Sequence, residues 1–240
     1  MTAEQRVDVL ALAAHRDDVE ITSGGLMTKF ADMGYRTAII DFTAGEMGTR
    51  GTAADREAEA AAAAKIMGLA HRENLEMPDA HLENTLPARL RVVDVLRRLR
   101  PRLVILPHWV QRHPDHRVAG EIAYEACFLA GLEKLDVQGE PHRPHKILYS
   151  GFFRPPPMSF IVDITDQFDR KIESVRAYRS QFDTPEGARQ IYAPGIDIFE
   201  LMTTEAKHMG RQIRTRYAES YIIKEAIAID DPLQMNVPSI

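Results

Sequence analysis

Apolar and polar residues fall in blocks along this chain, and the blocks switch between strand length and helix length. Residues 7–14, VDVLALAA, are a continuous apolar run closed by a charged cluster, which predicts a first strand buried on both faces. GLMTKFADMG has apolar residues at helical spacing, predicting a helix with an N-cap at Ser23 and a stop at Gly34. TAIIDFT, 37–43, reads as a second strand. Residues 53–67, AADREAEAAAAAKIM, are strong helix formers that end at Gly68. LPARLRVVDVLRRLR makes an amphipathic helix ahead of Pro101, and LVILP, 103–107, is another buried strand. HRVAGEIAYEACFLAGL, 116–132, is helical, and PHRPHKILYSGFFRPPPMSFIVDIT reads as short strands punctuated by proline. DQFDRKIESVRAYRSQF and roughly 197–213 are helical, before a strand in YAESYIIKEA. Strands alternating with helices predict an α/β fold with a mostly parallel sheet covered by helices.

Composition narrows the picture. With 240 residues and 45% hydrophobic positions, the chain suits one domain over 1–240. A formal charge of -5 offers no basic stripe, so no nucleic-acid partner is expected, and no apolar window is long enough for a membrane span. The first residues lack a basic start and a cleavage site, so no secretory signal is expected. The single cysteine, Cys127, rules out an internal disulfide and suits a cytoplasmic location.

Candidate chemistry collects at two strand ends, where ligands bind in open α/β sheets. AHRDD, 14–18, places a histidine, an arginine and two carboxylates together, a costly concentration unless a cation compensates it. RHPDH, 112–116, follows the strand at 103–107. Alone, an aspartate pair after a strand is more often a turn or helix cap than a metal ligand, and loop histidines are common. Together the loops offer three histidines and three aspartates, the N and O donors that zinc accepts. Gly24-Gly25 fits neither G-x-G-x-x-G nor a P-loop, so close helix–strand packing is its expected role.

With those motifs in view, the chain resembles the LmbE-like or PIG-L-type deacetylases, which carry an A-H-P-D-D-x-E loop and a later H-P-D-H loop. Within them it looks most like the N-acetylglucosaminyl-malate deacetylases of bacillithiol biosynthesis. The segments that match are AHRDDVEITSGG, DFTAGEMGTRGT, NLEMPD, RPRLVILP, QRHPDH, PHRPHKILY, VDIT, RAYRSQF and YAESY. The resemblance implies a Rossmann-like three-layer sandwich and a zinc-dependent hydrolase of a small amino-sugar conjugate. Zinc, or another divalent ion such as Fe2+, would sit on His15, Asp18 and His116. Asp17 would be the general base, His113 a protonated oxyanion donor, and Asp115 would orient a histidine and could keep His113 charged. Arg56 would touch substrate, with Glu46 and Arg50 candidates for the same pocket. Family members are often multimeric, so a homo-oligomer is expected, with the Pro-rich stretch 151–160 as a candidate interface.

Two positions depart from the family pattern. Arg16 stands where the first loop usually has proline, and three placements are open: facing solvent, paired with a carboxylate, or beside Asp17. Where the related deacetylases use a mobile tyrosine at the oxyanion, this chain has Ile198, with Tyr192 nearby. Arg50, Arg56 and Arg112 would suit a carboxylate-bearing aglycone such as malate. Trp109 could stack on a sugar or anchor the core. The rival readings are a deacetylase of another N-acetylated sugar and a non-catalytic Rossmann-like small-molecule binding protein.

Overall fold

The computed structural model describes residues 6–150, 158–183 and 197–235. In chain order the strands are β1 (Val9–Ala13), β2 (Thr37–Thr43), β3 (His71–Met77), β4 (Leu103–Pro107), β5 (Lys146–Ser150), β6 (Phe160–Asp163) and β7 (Ala218–Ile222). The helices are α1 (Asp18–Asp32), α2 (Ala53–Met67), α3 (Leu86–Leu99), α4 (Pro114–Leu129), α5 (Phe168–Arg176), α6 (Arg179–Phe182) and α7 (Ile198–Gln212). The strands form one sheet in the order β3-β2-β1-β4-β5-β7-β6. Five strands are parallel, and β7 pairs antiparallel with both β5 and β6.

Alternation along the central strands sends side chains to two cores. Leu10, Leu12, Ile40, Phe42, Val104 and Leu106 pack with residues of α3 and α4. Val9, Ala11, Ala13, Ile39 and Ile105 face Val19, Leu26 and Met27 of α1 on the other side. The result is the α/β sandwich that the block pattern predicts. Among the described residues, no helix is long and apolar enough to cross a membrane.

Three expectations need correction. The first helix starts at Asp18, not after a cap at Ser23, which is buried inside it; Val19 and Ile21 already face apolar cores, so the helix gains by starting earlier. The helix expected from His116 begins at Pro114, where proline is pre-set for a first turn. The strand at 71–77, HRENLEM, has no counterpart in the block pattern. It lies at the edge of the sheet, and its charged side chains find partners there: Arg72 bridges the buried Glu20 and Asp41. The Pro-rich stretch 151–160 lies almost wholly outside the described residues, as does Tyr192.

Gly24 and Gly25 do serve close packing. A Cβ on Gly25 would lie 2.5 Å from Ile164 Cδ1 and 2.9 Å from Glu219 Oε1. The Glu219 carboxylate of β7 accepts from the backbone N–H of Gly25 and Leu26 at 2.9 and 2.8 Å, from Lys171 Nζ at 2.6 Å and from the Tyr221 hydroxyl at 2.8 Å. Glu219 and Lys171 of α5 are both buried, so a desolvated ion pair fastens α5 to the sheet, and the same carboxylate holds α1 through two amides.

Candidate functional site

Four loops meet at the carboxyl edge of the parallel strands, and the site sits between β1 and β4, where the strand order reverses direction. They enclose a cleft of about 380 Å³ lined by His15, Asp17, Asp18, Arg56, Asp79 and His116, among others. A larger groove of about 1080 Å³ runs beside Phe30, Phe128 and Phe160, but it gathers no cluster of metal-donor side chains among the described residues. Chemistry therefore selects the smaller cleft.

The turn after β1 is strained. Asp17 caps α1 with φ 99° and ψ -24°, a conformation that residues with a side chain rarely adopt. The buried Arg56 secures it: Nη2 donates to the Arg16 carbonyl at 2.6 Å and lies 3.4 Å from Asp17 Oδ2. Gly45, at φ 72°, makes room for this guanidinium, since a Cβ there would lie 2.2 Å from Arg56 Nη1. Thus α2, set by a Thr52–Asp55 capping box, carries the arginine that braces the first loop.

Three donor groups converge beside Asp17, each carboxylate oxygen of Asp18 facing one histidine. His15 Nδ1 is 3.1 Å from His116 Nε2 and 3.6 Å from Asp18 Oδ2, and His116 Nε2 is 3.2 Å from Asp18 Oδ1. Tetrahedral coordination with bonds of about 2.0–2.1 Å places donors roughly 3.3 Å apart, so this triangle fits a small divalent ion. The other nitrogen of His15, Nε2, meets Asp79 Oδ1 at 3.0 Å and Asp115 Oδ2 at 3.7 Å. A histidine held by carboxylates on one nitrogen and open to a donor triangle on the other matches the outer support of a metal ligand.

Two other groupings keep one donor atom from each residue within 4.8 Å of one another: His15, His113 and His116, and His15, Asp79 and Asp115. In the second, both carboxylates crowd the same nitrogen and already accept backbone N–H groups, from Met47 and Ala80 for Asp79 and from Ala80 for Asp115. In the first, His113 Nδ1 accepts from the Asp115 N–H at 3.2 Å.

Electrostatics agrees. Burial lowers the pKa of His15, but hydrogen bonds to Asp115, Asp18 and Asp79 outweigh it and raise it to about 12. Burial raises Asp18, yet His116 and His15 hold it well below the ordinary carboxylate range. Asp79 lies at about 2, because His15 and the Met47 and Ala80 amides overcome its desolvation. The carboxylates demand positive charge at this point, whether a proton or a metal ion. Asp17 behaves differently: burial drives it up, Arg56 offsets part of that, Asp18 adds to it, and it reaches about 7.

The remaining expectations divide. Asp115 does engage a histidine, but that histidine is His15. His113 is lowered by burial and by neighbouring His15 and His116, and its Nδ1 acts as an acceptor, so the geometry assigns a neutral ring with its proton on Nε2 rather than an imidazolium. Arg56 lines the cleft, committed to Asp17 and the Arg16 carbonyl. Glu46 does not line the cleft; its carboxylate accepts from the Asp79 N–H at 2.7 Å. Arg50 also stays out of the lining and points toward the Gln181 carbonyl. Arg112 lines the wall beside Gln111. Trp109 is not among the lining residues, and Ile198 is buried in a core cluster with Ile21 and Phe182. Arg16 is buried too, and Nη1 donates to the Ala53 carbonyl at 2.8 Å, so the cation beside Asp17 is Arg56.

Sequence reasoning missed Asp79. Had HRENLEM been read as a strand, Asp79 would have stood at its carboxyl end and become a candidate on position alone.

Comparison with known proteins shows the family. A family model described as "PIG-L: GlcNAc-PI de-N-acetylase" matches residues 10–127, the stretch that carries every residue of the donor triangle. Diacetylchitobiose deacetylase of Thermococcus kodakarensis is 32% identical over 225 residues, covering 88% of this chain and 80% of that one. The chain belongs to the PIG-L/LmbE-like deacetylase family. A conserved Thermus thermophilus protein of known structure superposes on this deacetylase with a TM-score of 0.85 at 36% identity, covering 95% of this chain and 99% of that one. The similarity extends to 4-oxalmesaconate hydratase of Pseudomonas putida, 28% identical over 197 residues, covering 72% of this chain and 73% of the other.

Proposed function

We propose that the protein hydrolyses the N-acetyl group of an amino-sugar conjugate, with zinc held by His15 Nδ1, Asp18 and His116 Nε2. The observation that carries this reading is the donor triangle with a non-coordinating carboxylate, Asp17, raised to about 7 at its side. When bound, zinc supplies an acidified water and a polarised amide carbonyl. Asp17 takes the proton of the attacking water and returns it to the departing amine nitrogen, which a carboxylate with a pKa near neutrality does efficiently. His113, neutral and protonated at Nε2, donates to the developing oxyanion. Arg56 keeps Asp17 in its strained turn.

Asp79 accepts from His15 Nε2–H and so keeps Nδ1, the ligand nitrogen, free of a proton. Asp79→Asn is therefore expected to weaken zinc roughly ten- to a hundredfold, measured by competition with a chromogenic chelator. Unchanged affinity would remove Asp79 from that role.

For the substrate, the resemblance along the chain favours N-acetylglucosaminyl-malate, with Arg112 in the cleft wall as a cation for the malate carboxylates. Similarity to a diacetylchitobiose deacetylase favours an N-acetylated chitooligosaccharide instead. A panel of N-acetylglucosaminyl-malate, diacetylchitobiose and N-acetylglucosamine, scored by acetate release, decides between them. Preference for the malate conjugate that disappears in Arg112→Gln supports the first reading. Turnover of 4-oxalmesaconate with no acetate from any sugar would overturn deacetylation, and absence of stoichiometric zinc would point to a non-catalytic binder.

A further inference from the structure

Away from the donor triangle, three aromatic rings converge on one ammonium. Lys224 follows β7 by two residues, and its Nζ lies 4.7 Å from the Trp109 ring centroid, 4.4 Å from Tyr124 and 4.7 Å from Tyr149. The rings come from three elements: the loop after β4, helix α4 and strand β5. Among the described residues no ion pair competes for this ammonium. Beneath Trp109 lies the buried His108, ring centroids 3.9 Å apart, and Tyr149 meets the indole edge-on at 4.9 Å.

The loop so gripped is the one that leads into the site. His108 Nδ1 accepts the Val110 N–H at 2.9 Å, while Trp109 and Val110 themselves are 38% and 47% exposed. Gln111 and Arg112, which follow at once, form a wall of the cleft. His113 and His116 are fixed separately, as the cap and first turn of α4. The stack of His108, Trp109 and Lys224 therefore bears on Gln111 and Arg112 and not on the donor triangle.

We propose that Lys224 is a positioning residue for substrate binding: its ammonium, caged by Trp109, Tyr124 and Tyr149, pins the segment after β7 to the loop that carries Gln111 and Arg112. The kinetic half of this inference rests on the deacetylase reading, whereas the structural half does not. Trp109 is the only tryptophan in the chain, so its emission reports the cage directly.

The test compares Lys224→Met, which keeps the aliphatic stem and removes the charge, with Lys224→Arg, which keeps a cation able to lie over aromatic faces. For Lys224→Met, a shifted Trp109 emission maximum and faster acrylamide quenching are expected. KM for the best substrate of the panel should rise roughly tenfold, the size of two cation–π contacts at a partly exposed site, with kcat and zinc content unchanged. Lys224→Arg should restore both readouts. Unaltered emission and KM in Lys224→Met, an Arg variant that behaves like the Met variant, or a loss confined to kcat would each overturn the proposal. If no panel substrate is turned over, the deacetylase reading fails while emission and quenching still decide on the cage. Should Lys224→Met fold poorly by circular dichroism, Tyr124→Leu, on the exposed side of α4, carries the same expectations.

Discussion

Asp17→Asn is expected to lower kcat/KM by roughly a hundred- to ten-thousandfold, the usual worth of a general base, while zinc content stays stoichiometric. The substitution keeps the shape of the side chain and its place against Arg56 but removes the ability to accept a proton. Because the Asp17 carboxylate faces Arg56 and is not one of the three proposed ligands, metal binding and turnover should separate. In the wild type the basic form is populated above the Asp17 pKa, so activity should fall as pH drops through it. With about 7 as the value set by burial and its neighbours, a bound cation can only move that limb lower. Steady-state kinetics across pH, with metal analysis of the same samples, checks both statements. Near-normal activity of the metal-replete variant would remove Asp17 from the role of base.

The second large effect concerns stability rather than chemistry. Glu219→Ala should cost about 3–5 kcal/mol, because it strands the Lys171 ammonium in the interior without its partner. The carboxylate also receives two amides from the middle of α1 and the Tyr221 hydroxyl, so its loss loosens the helix that begins with Asp18. A double variant, Lys171→Met with Glu219→Gln, should recover most of the loss, since it leaves no buried charge. Chemical denaturation of the three proteins measures this. A single variant within about 0.5 kcal/mol of wild type, the ordinary range of surface substitutions, would mean that water reaches Lys171.

Much of this was legible from the chain because strand ends are where local sequence and global position coincide. His15, Asp17 and Asp18 follow directly on an apolar run, and His113 and His116 follow on another, so reading two buried strands brings both clusters to one edge. The arginines were not legible in the same way. A guanidinium ends several bonds from its backbone, and what it meets is decided by other elements: Arg56 enters a hole left by Gly45, and Arg16 reaches back to the first turn of α2. HRENLEM hid for a related reason. An edge strand keeps charged residues where neighbours neutralise them, so Arg72 looks like a surface residue until Glu20 and Asp41 are seen beneath it. Ser23 misled because a good cap followed by two glycines resembles a helix start, whereas here Gly24 admits α5, Gly25 admits Ile164 and Glu219, and the serine sits inside the helix.

The sheet gathers all of its chemistry on one edge, and the opposite edge has a practical use. Turns at Gly34, Gly68 and Arg100, each in left-handed backbone, close the chain there far from the donor triangle. A tag, a tether to a solid support or a fused carrier introduced at that end would leave the cleft facing free solution. An immobilised form of the protein should then keep its access to bulky glycoconjugates, which attachment through the loops after β2 or β4 would obstruct.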